Sequence, residues 1–189
     1  MIKEIIQSSI DLRQAVLTDT KLLETVQLVA DAMIATFAAG GKVLFCGNGG
    51  SAADAQHLAA ELSGRYYYDR PPLYAEALHT NTSFVTAVAN DYSFDEVYAR
   101  MVKAAGRKGD VLVAISTSGN SPNILNALHA ATEAGMITIG MSGKDGGKMK
   151  TLCHLLLNVP SNDTPRIQEV HITLGHIVCQ IVESKMFPR

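Results

Sequence analysis

The sequence predicts an α/β protein with an open, mainly parallel five-stranded sheet flanked by helices, a helical N-terminal extension and a long C-terminal helix. Three observations carry this reading. Short, almost wholly apolar runs recur after residue 41, and strands of that kind fit a sheet covered on both faces, which is usually parallel. Helical patterns separate those runs with no long hairpin between them, the alternation that right-handed βαβ crossovers produce. The 189 residues, 47% apolar and 18% charged, are enough for one globular domain with a real core.

The elements follow in order. Residues 2–17 carry Ile2, Ile5, Ile6, Ile10, Leu12 and Val16 at rough helical spacing. A second helix is expected over 22–38, with Leu22, Val26, Val29, Met33 and Phe37 on one face and Gly40-Gly41 as its stop. Strands are expected at 43–46, 75–78, 111–115, 136–141 and 155–159, and helices at 52–62, 82–89, 94–105 and 122–134, with a short one near 146–152. Asp69-Arg70-Pro71-Pro72 reads as a loop. The last element, 165–186, is a helix apolar over more than one face, more than an edge helix of a monomer needs. The expected layout is a single domain over 1–189: helices to residue 40, an α/β core over 41–160, then the final helix.

Charge and cysteine usage remove several classes of function. Sixteen basic and eighteen acidic residues leave a net charge of −2, which argues against a nucleic-acid surface. No run reaches the ~18 apolar residues that span a bilayer, and the start lacks a signal-peptide core, so no membrane partner is expected. Cys46, Cys153 and Cys179 lie far apart with no CxxC spacing, so neither a disulfide framework nor a thiolate zinc site is expected, and a cytoplasmic setting is.

Two loops and two helices hold the candidate chemistry. Gly47-Asn48-Gly49-Gly50-Ser51 follows the first strand, where glycines let backbone N–H groups approach a ligand, and Ser51 is read as the helix cap. An ordinary strand–helix turn has the same composition. The segment is neither GxGxxG nor the Walker GxxxxGK pattern, which removes the main support for nucleotide binding. Ser116-Thr117-Ser118-Gly119-Asn120-Ser121-Pro122 follows the third strand, with Ser121 at a cap position and Pro122 at the first helical position. Hydroxyls and free N–H groups converge there, at the carboxyl end of a parallel strand, which suits a phosphate monoester. His57 and Glu61, one turn apart, could hold a divalent metal, share acid–base work or form a surface pair. Arg166, Gln168, Glu169, His171 and His176 need partners wherever the final helix buries them, and spacing alone does not choose among a cap, an ion pair and a site. Tyr66-Tyr67-Tyr68 is expected to form an oligomer contact or a site wall, and 144–148 a connecting turn.

These motifs together resemble the sugar isomerase (SIS) domain and, within it, the phosphoheptose isomerase family. The resemblance runs through CGNGGSAADAQHLAAELSGRY (46–66), AND (89–91), GDVLVAISTSGNSPN (109–123), SGKDGGKM (142–149) and RIQEVHITLGHI (166–177). It implies the SIS fold and an aldose–ketose isomerase that converts sedoheptulose 7-phosphate to D-glycero-D-manno-heptose 7-phosphate through an enediol(ate), supplying precursors of surface glycans. Carried over by motif position, it implies substrate contacts at Asn48, Gly49, Gly50, Ser51, Glu61, Arg65, Asn90, Asp91, Ser116, Thr117, Ser118, Ser121 and Gln168. It implies one zinc ion per subunit on His57, Glu61, Gln168 and His176, an acid–base pair of Glu61 and His176, and a homotetramer.

A non-catalytic branch of the same fold, a tetramer that binds the bacterial replication initiator, shares Ser51-Ala52-Ala53 and Asp95-Glu96-Val97-Tyr98. An adaptor has no chemical need for His57, Glu61, Gln168 and His176 together. A regulatory sugar-phosphate sensor of this fold would carry a DNA-binding domain, for which the chain has no room. One spacing bears on assembly. Gln168 and His176 are separated by a rise of roughly 12 Å on one helix, too far for both to reach one ion easily. Either the helix is irregular or different copies supply the ligands, which predicts active sites at subunit interfaces, with Glu61 and His176 from different chains.

Overall fold

Every residue of β1 (Val43–Gly47) and β3 (Val111–Ile115) is buried, as strands with helices on both faces require. Side chains alternate between faces along each strand. Val43, Phe45, Val111, Val113 and Ile115 enter one core, while Leu44, Cys46, Leu112 and Ala114 enter the other. The computed structural model describes residues 1–189. The remaining strands are β2 (Ala75–Ala77), β4 (Ile137–Ser142) and β5 (Leu155–Asn158), and all five are parallel in the order β2-β1-β3-β4-β5. The fold class expected from the sequence is the one observed.

The first core is roofed by α1 (Ile2–Thr18), α2 (Thr20–Ala38), α3 (Gly50–Ser63) and α7 (Thr164–Met186). The second lies under α4 (Thr82–Asp91), α5 (Val97–Ala105) and α6 (Pro122–Glu133). Asp19 breaks α1 from α2 and caps the latter, its carboxylate accepting from the Leu22 amide at 3.0 Å. Asp110, 3% exposed, ties the starts of β1 and β3 together: it accepts from the Lys42 amide at 3.0 Å and from Lys42 Nζ at 2.6 Å.

Three expectations change in detail. The helix expected over 94–105 is a 3-10 turn, Phe94–Glu96, followed by α5, and the short helix near 146–152 is a 3-10 turn, Gly147–Thr151. The several apolar faces of the final helix find much of their cover inside one chain. α7 packs against α2 and α3 and touches α1, so it lies within the helix layer and not at its edge. The helix is also unbroken from Thr164 to Met186, which removes the irregular-helix explanation of the Gln168–His176 spacing.

His171 lies wholly within the first core, its Nε2–H donating to the Ser142 carbonyl at 3.2 Å. Burial outweighs that bond and lowers its pKa from 6.5 to about 4. Between those values the unfolded chain binds a proton that the folded chain refuses, so this histidine's contribution to stability is lost as pH falls from about 6.5 toward 4. The loss reaches about 3 kcal/mol at the acid end. Urea unfolding across that range should show a slope that flattens in His171→Gln; equal slopes in both proteins would contradict the assignment.

Candidate active site

Gly47 and Ile115 are register partners at the carboxyl ends of β1 and β3. From there the chain leaves toward opposite faces, into α3 over the first core and α6 over the second. Neighbouring strands that diverge in this way open a crevice at their carboxyl ends, where open α/β sheets bind ligands. A pocket of about 320 Å³ occupies it, lined by Asn48, Gly49, Gly50 and Ser51 from one loop, Ile115, Ser116, Thr117 and Ser121 from the other, and Thr164 and Gln168 from α7. No lysine, arginine, aspartate or glutamate lines it.

The capping grammar is half as expected. Ser121 and Pro122 hold the N-cap and N1 positions of α6, but the Ser121 hydroxyl pairs with Ser116 Oγ at 3.0 Å and makes no cap bond. Pro122 has no N–H and the Ile124 and Leu125 amides donate to the Ser121 carbonyl, so in the first turn of α6 the Asn123 amide is the backbone donor left for a ligand. On the glycine loop the cap is Gly49, at φ +56, and Ser51 lies buried inside α3. Gly47 permits this early start, since the turn brings the Ser51 backbone against a position where any side chain would strike it.

The second half of the site lies on the seam between α3 and α7. Both helices touch at Gly50, where an added Cβ would come 2.7 Å from Gln168 Nε2, and at Gly175, where it would come 2.5 Å from Leu58 Cδ1. Glycine at 175 lets α7 approach closely enough for His176 to reach His57. Their Nε2 atoms are 3.5 Å apart, the rings meet edge-on at 4.9 Å, and Glu61 Oε1 is 3.1 Å from His57 Nε2. One ligand atom from each of His57, Glu61 and His176 falls within 4.8 Å of the other two. Two imidazoles and a carboxylate converging this closely, in reach of solvent, are a donor set that fits a zinc-like cation. Glu61 and His176 meet within one chain, so the expected pairing across copies is not needed for these two; α3 supplies what a single helix could not.

Other expected residues fall in several places. Gln168 lies at the pocket end of the seam, against Gly50. Ser118 is exposed and 3.5 Å from Ser116 Oγ. Arg65, Asn90 and Asp91 are exposed and absent from the pocket wall, and Asn90 donates to the Asp91 carboxylate at 2.9 Å. Of the tyrosines, Tyr66 forms a wall, its ring 5.8 Å from that of His176. Burial, then Tyr67 and Glu61, push its phenol up to about 12. Arg166 and Glu169 pair at 2.7 Å and bind α1 through the Ile5 carbonyl and Ser9 hydroxyl, while His171 is the core residue already described.

Several supporting groups escape a reading by motif. Asn123 exchanges two amide hydrogen bonds with Asn48, at 2.9 and 2.8 Å, clamping the two loops together. Tyr98 donates to the Gly47 carbonyl from the opposite face. The turn after β4 buttresses the serine loop: the Gly143 amide donates to Thr117, Met149 to Gly119 and Lys148 to the Asn120 side chain. Gly119 must be glycine, since its φ is +64 and a Cβ would meet the Gly146 carbonyl. Glu183 follows the buried Cys179 by four residues on α7. It is 1% exposed and accepts from the Tyr66 and Tyr67 amides at 2.9 and 2.7 Å and from Arg70 at 3.1 Å. Burial alone would raise its pKa; the tyrosine amides and Arg70 outweigh it and hold the group below the usual glutamate value.

Comparison with known proteins places the chain in a family. The SIS domain family matches residues 7–143. The chain is 58% identical over 173 residues to a phosphoheptose isomerase of Burkholderia pseudomallei, covering 92% of this chain and 88% of that one. It is 50% identical to that of Aneurinibacillus thermoaerophilus, over 98% and 94% of the two chains. Among solved structures, the phosphoheptose isomerase of Neisseria gonorrhoeae superposes with a TM-score of 0.91 at 46% identity, covering 97% of each chain.

The pocket's donors are neutral, so an anion there depends on hydroxyls and on the helix end. Removing the Ser121 hydroxyl should cost about 1–3 kcal/mol of phosphate binding, a roughly 5- to 150-fold loss of affinity. Calorimetric titration of inorganic phosphate into Ser121→Ala reads this directly. Wild-type affinity in the folded variant would remove the hydroxyl from the site.

Proposed function

Because the chain belongs to the phosphoheptose isomerases of the SIS-domain family, we propose that it interconverts sedoheptulose 7-phosphate and D-glycero-D-manno-heptose 7-phosphate. The observation that carries this reading is the pairing of a neutral anion pocket with an acid–base cluster along one helix seam. The phosphate sits on Ser116, Thr117, Ser118, Ser121 and the start of α6, with Asn48, Gly49, Gly50 and Ser51 across from it. Gln168 and His176 lie a rise of roughly 12 Å apart on α7, so the seam leads from the phosphate end to the reacting end.

The reaction moves a proton between neighbouring carbons. Glu61 takes it from C1 of the ketose while His176 serves the C2 oxygen, giving an enediol(ate). Return of the proton to C2, with loss of the O1 proton, gives the aldose. Two imidazoles beside the carboxylate provide for the second, oxygen-bound proton. His57, Glu61 and His176 would hold zinc, which when bound supplies electrostatic stabilisation of the developing oxyanion, and a Gln168 ligand would come from another copy, since this chain's Gln168 lies roughly 12 Å along α7 from His176. No dinucleotide is required.

Assembly and setting complete the reading. Ile2, Ile5, Ile6 and Ile10 on α1 are 71%, 48%, 55% and 52% exposed, an apolar row that suits a homotetramer with sites at its subunit boundaries. Arg65, Asn90 and Asp91 are the residues such an assembly would bring to a pocket. Sedimentation equilibrium tests this, and a monomer at micromolar concentration would refute it. No helix is long and apolar enough to cross a membrane, and the reaction belongs in the cytoplasm, where it feeds surface-glycan precursors. The convergence of His57, Glu61 and His176 favours this enzyme over an adaptor that binds the replication initiator, which has no use for such a cluster.

Purified protein incubated with sedoheptulose 7-phosphate should form an aldoheptose phosphate, and a chelator should suppress it. Glu61→Gln should abolish turnover while calorimetry still detects sugar-phosphate binding, since the amide keeps the shape but takes no proton at neutral pH. Retained turnover would remove Glu61 from the base role.

A further inference from the structure

The ion pair of Arg70 and Glu183 takes no part in the chemistry above, yet both of its ends are fastened to the reacting cluster. The Arg70 side chain is 2% exposed and that of Glu183 1%. The guanidinium donates to the Glu61 carbonyl at 2.9 Å and the Leu62 carbonyl at 2.7 Å, in the last turn of α3, where carbonyls have no partner within the helix. Glu183 follows His176 by seven residues, close to two turns, so both project from one side of α7. Its carboxylate receives the Tyr66 and Tyr67 amides, and the Tyr66 ring packs beside His176. The cluster's two helices are thus joined by contact at Gly50 and Gln168 and at Gly175 and Leu58, and beyond these by a charged strut from α7 through Arg70 to the main chain of Glu61.

We infer that Glu183 is a positioning residue for the His57/Glu61/His176 cluster, acting through Arg70 on Glu61 and through the tyrosine amides on the wall over His176. The strut fixes direction as well as distance. The guanidinium is planar and forked, and it uses separate nitrogens for Glu183, Leu62 and Glu61. Leu or Met at these positions would fill the space without reaching a carbonyl or an amide. A buried charge pair adds little stability over apolar side chains of the same volume, so orientation is the property these charges supply here.

The inference rests on the isomerase reading for its kinetic arm only, and metal binding tests it separately. The test uses Glu183→Gln and Arg70→Lys in the full chain, each first shown by circular dichroism and urea unfolding to be folded at the assay temperature. Metal-free protein is titrated with Co²⁺ and followed by its visible absorption, and sedoheptulose 7-phosphate turnover is measured alongside. The expected result is a 10- to 100-fold weaker Co²⁺ affinity with an altered band shape, the scale set by loss of groups that orient ligands. kcat should fall by a similar factor, while KM stays within about twofold because the phosphate pocket is untouched. Folded variants with wild-type Co²⁺ affinity and wild-type kcat would overturn the assignment, as would a rise in KM alone. If neither single variant folds, Arg70→Met/Glu183→Leu, which removes both charges together, replaces them under the same criteria. If the wild type shows no isomerisation, the Co²⁺ titration alone decides, and the functional reading fails by itself.

Discussion

Parallel pairing of β1 with β3, in a register that sets Gly47 beside Ile115, is the constraint on which the site depends. Two adjacent strands end level and then send their chains to opposite faces, so no connection covers the gap between them. The glycine loop and the serine loop are brought together by that divergence and by nothing in their own sequences. Asn48 and Asn123 then fix the separation with a reciprocal amide pair, and Tyr98 anchors Gly47 from the other face. A one-residue slip of either strand would move every one of its side chains from one core to the other.

The polar groups of the site divide by the kind of surroundings they need. An anion in the pocket would be met by uncharged donors, so the pocket carries no cation of its own to desolvate. Charges appear only along the helix seam. There His57, Glu61 and His176 remain within reach of water, while Arg70 and Glu183, which do not, satisfy one another and four main-chain groups between residues 61 and 67. Asp54, one turn before His57, is raised by burial, an effect that the histidine partly offsets. His171 and His176 show how five residues along one helix separate a core imidazole from one that meets His57 and Glu61 in reach of solvent.

Most of the fold was legible because its signals are local. Short, continuously apolar runs mark the strands, apolar stripes mark the helices, and the loop glycines announce themselves. The two anion loops and the His57–Glu61 pair were legible for the same reason. His176 was not separable from His171 by spacing, since what distinguishes them is a contact with α3 at Gly175, 117 residues from Leu58. Ser51 misled because a serine after glycines is the commoner cap, and the early helix start that Gly47 permits shows only in the fold. Arg70, Glu183, Asn123 and Tyr98 stayed hidden because each acts on a partner far away in the chain.

The seam between α3 and α7 has a consequence for the order in which the molecule is made. His57 meets His176 across 119 residues and Arg70 meets Glu183 across 113, so these contacts close some of the longest loops in the chain. Closing them is entropically late, after the βα units between have formed from nearer neighbours. During synthesis the sheet and both anion loops can be in place while the imidazole–carboxylate cluster does not yet exist, because its last members arrive with the final helix. A cation that binds the cluster would therefore bind the completed protein and draw the equilibrium toward it, coupling the last docking step to metal supply.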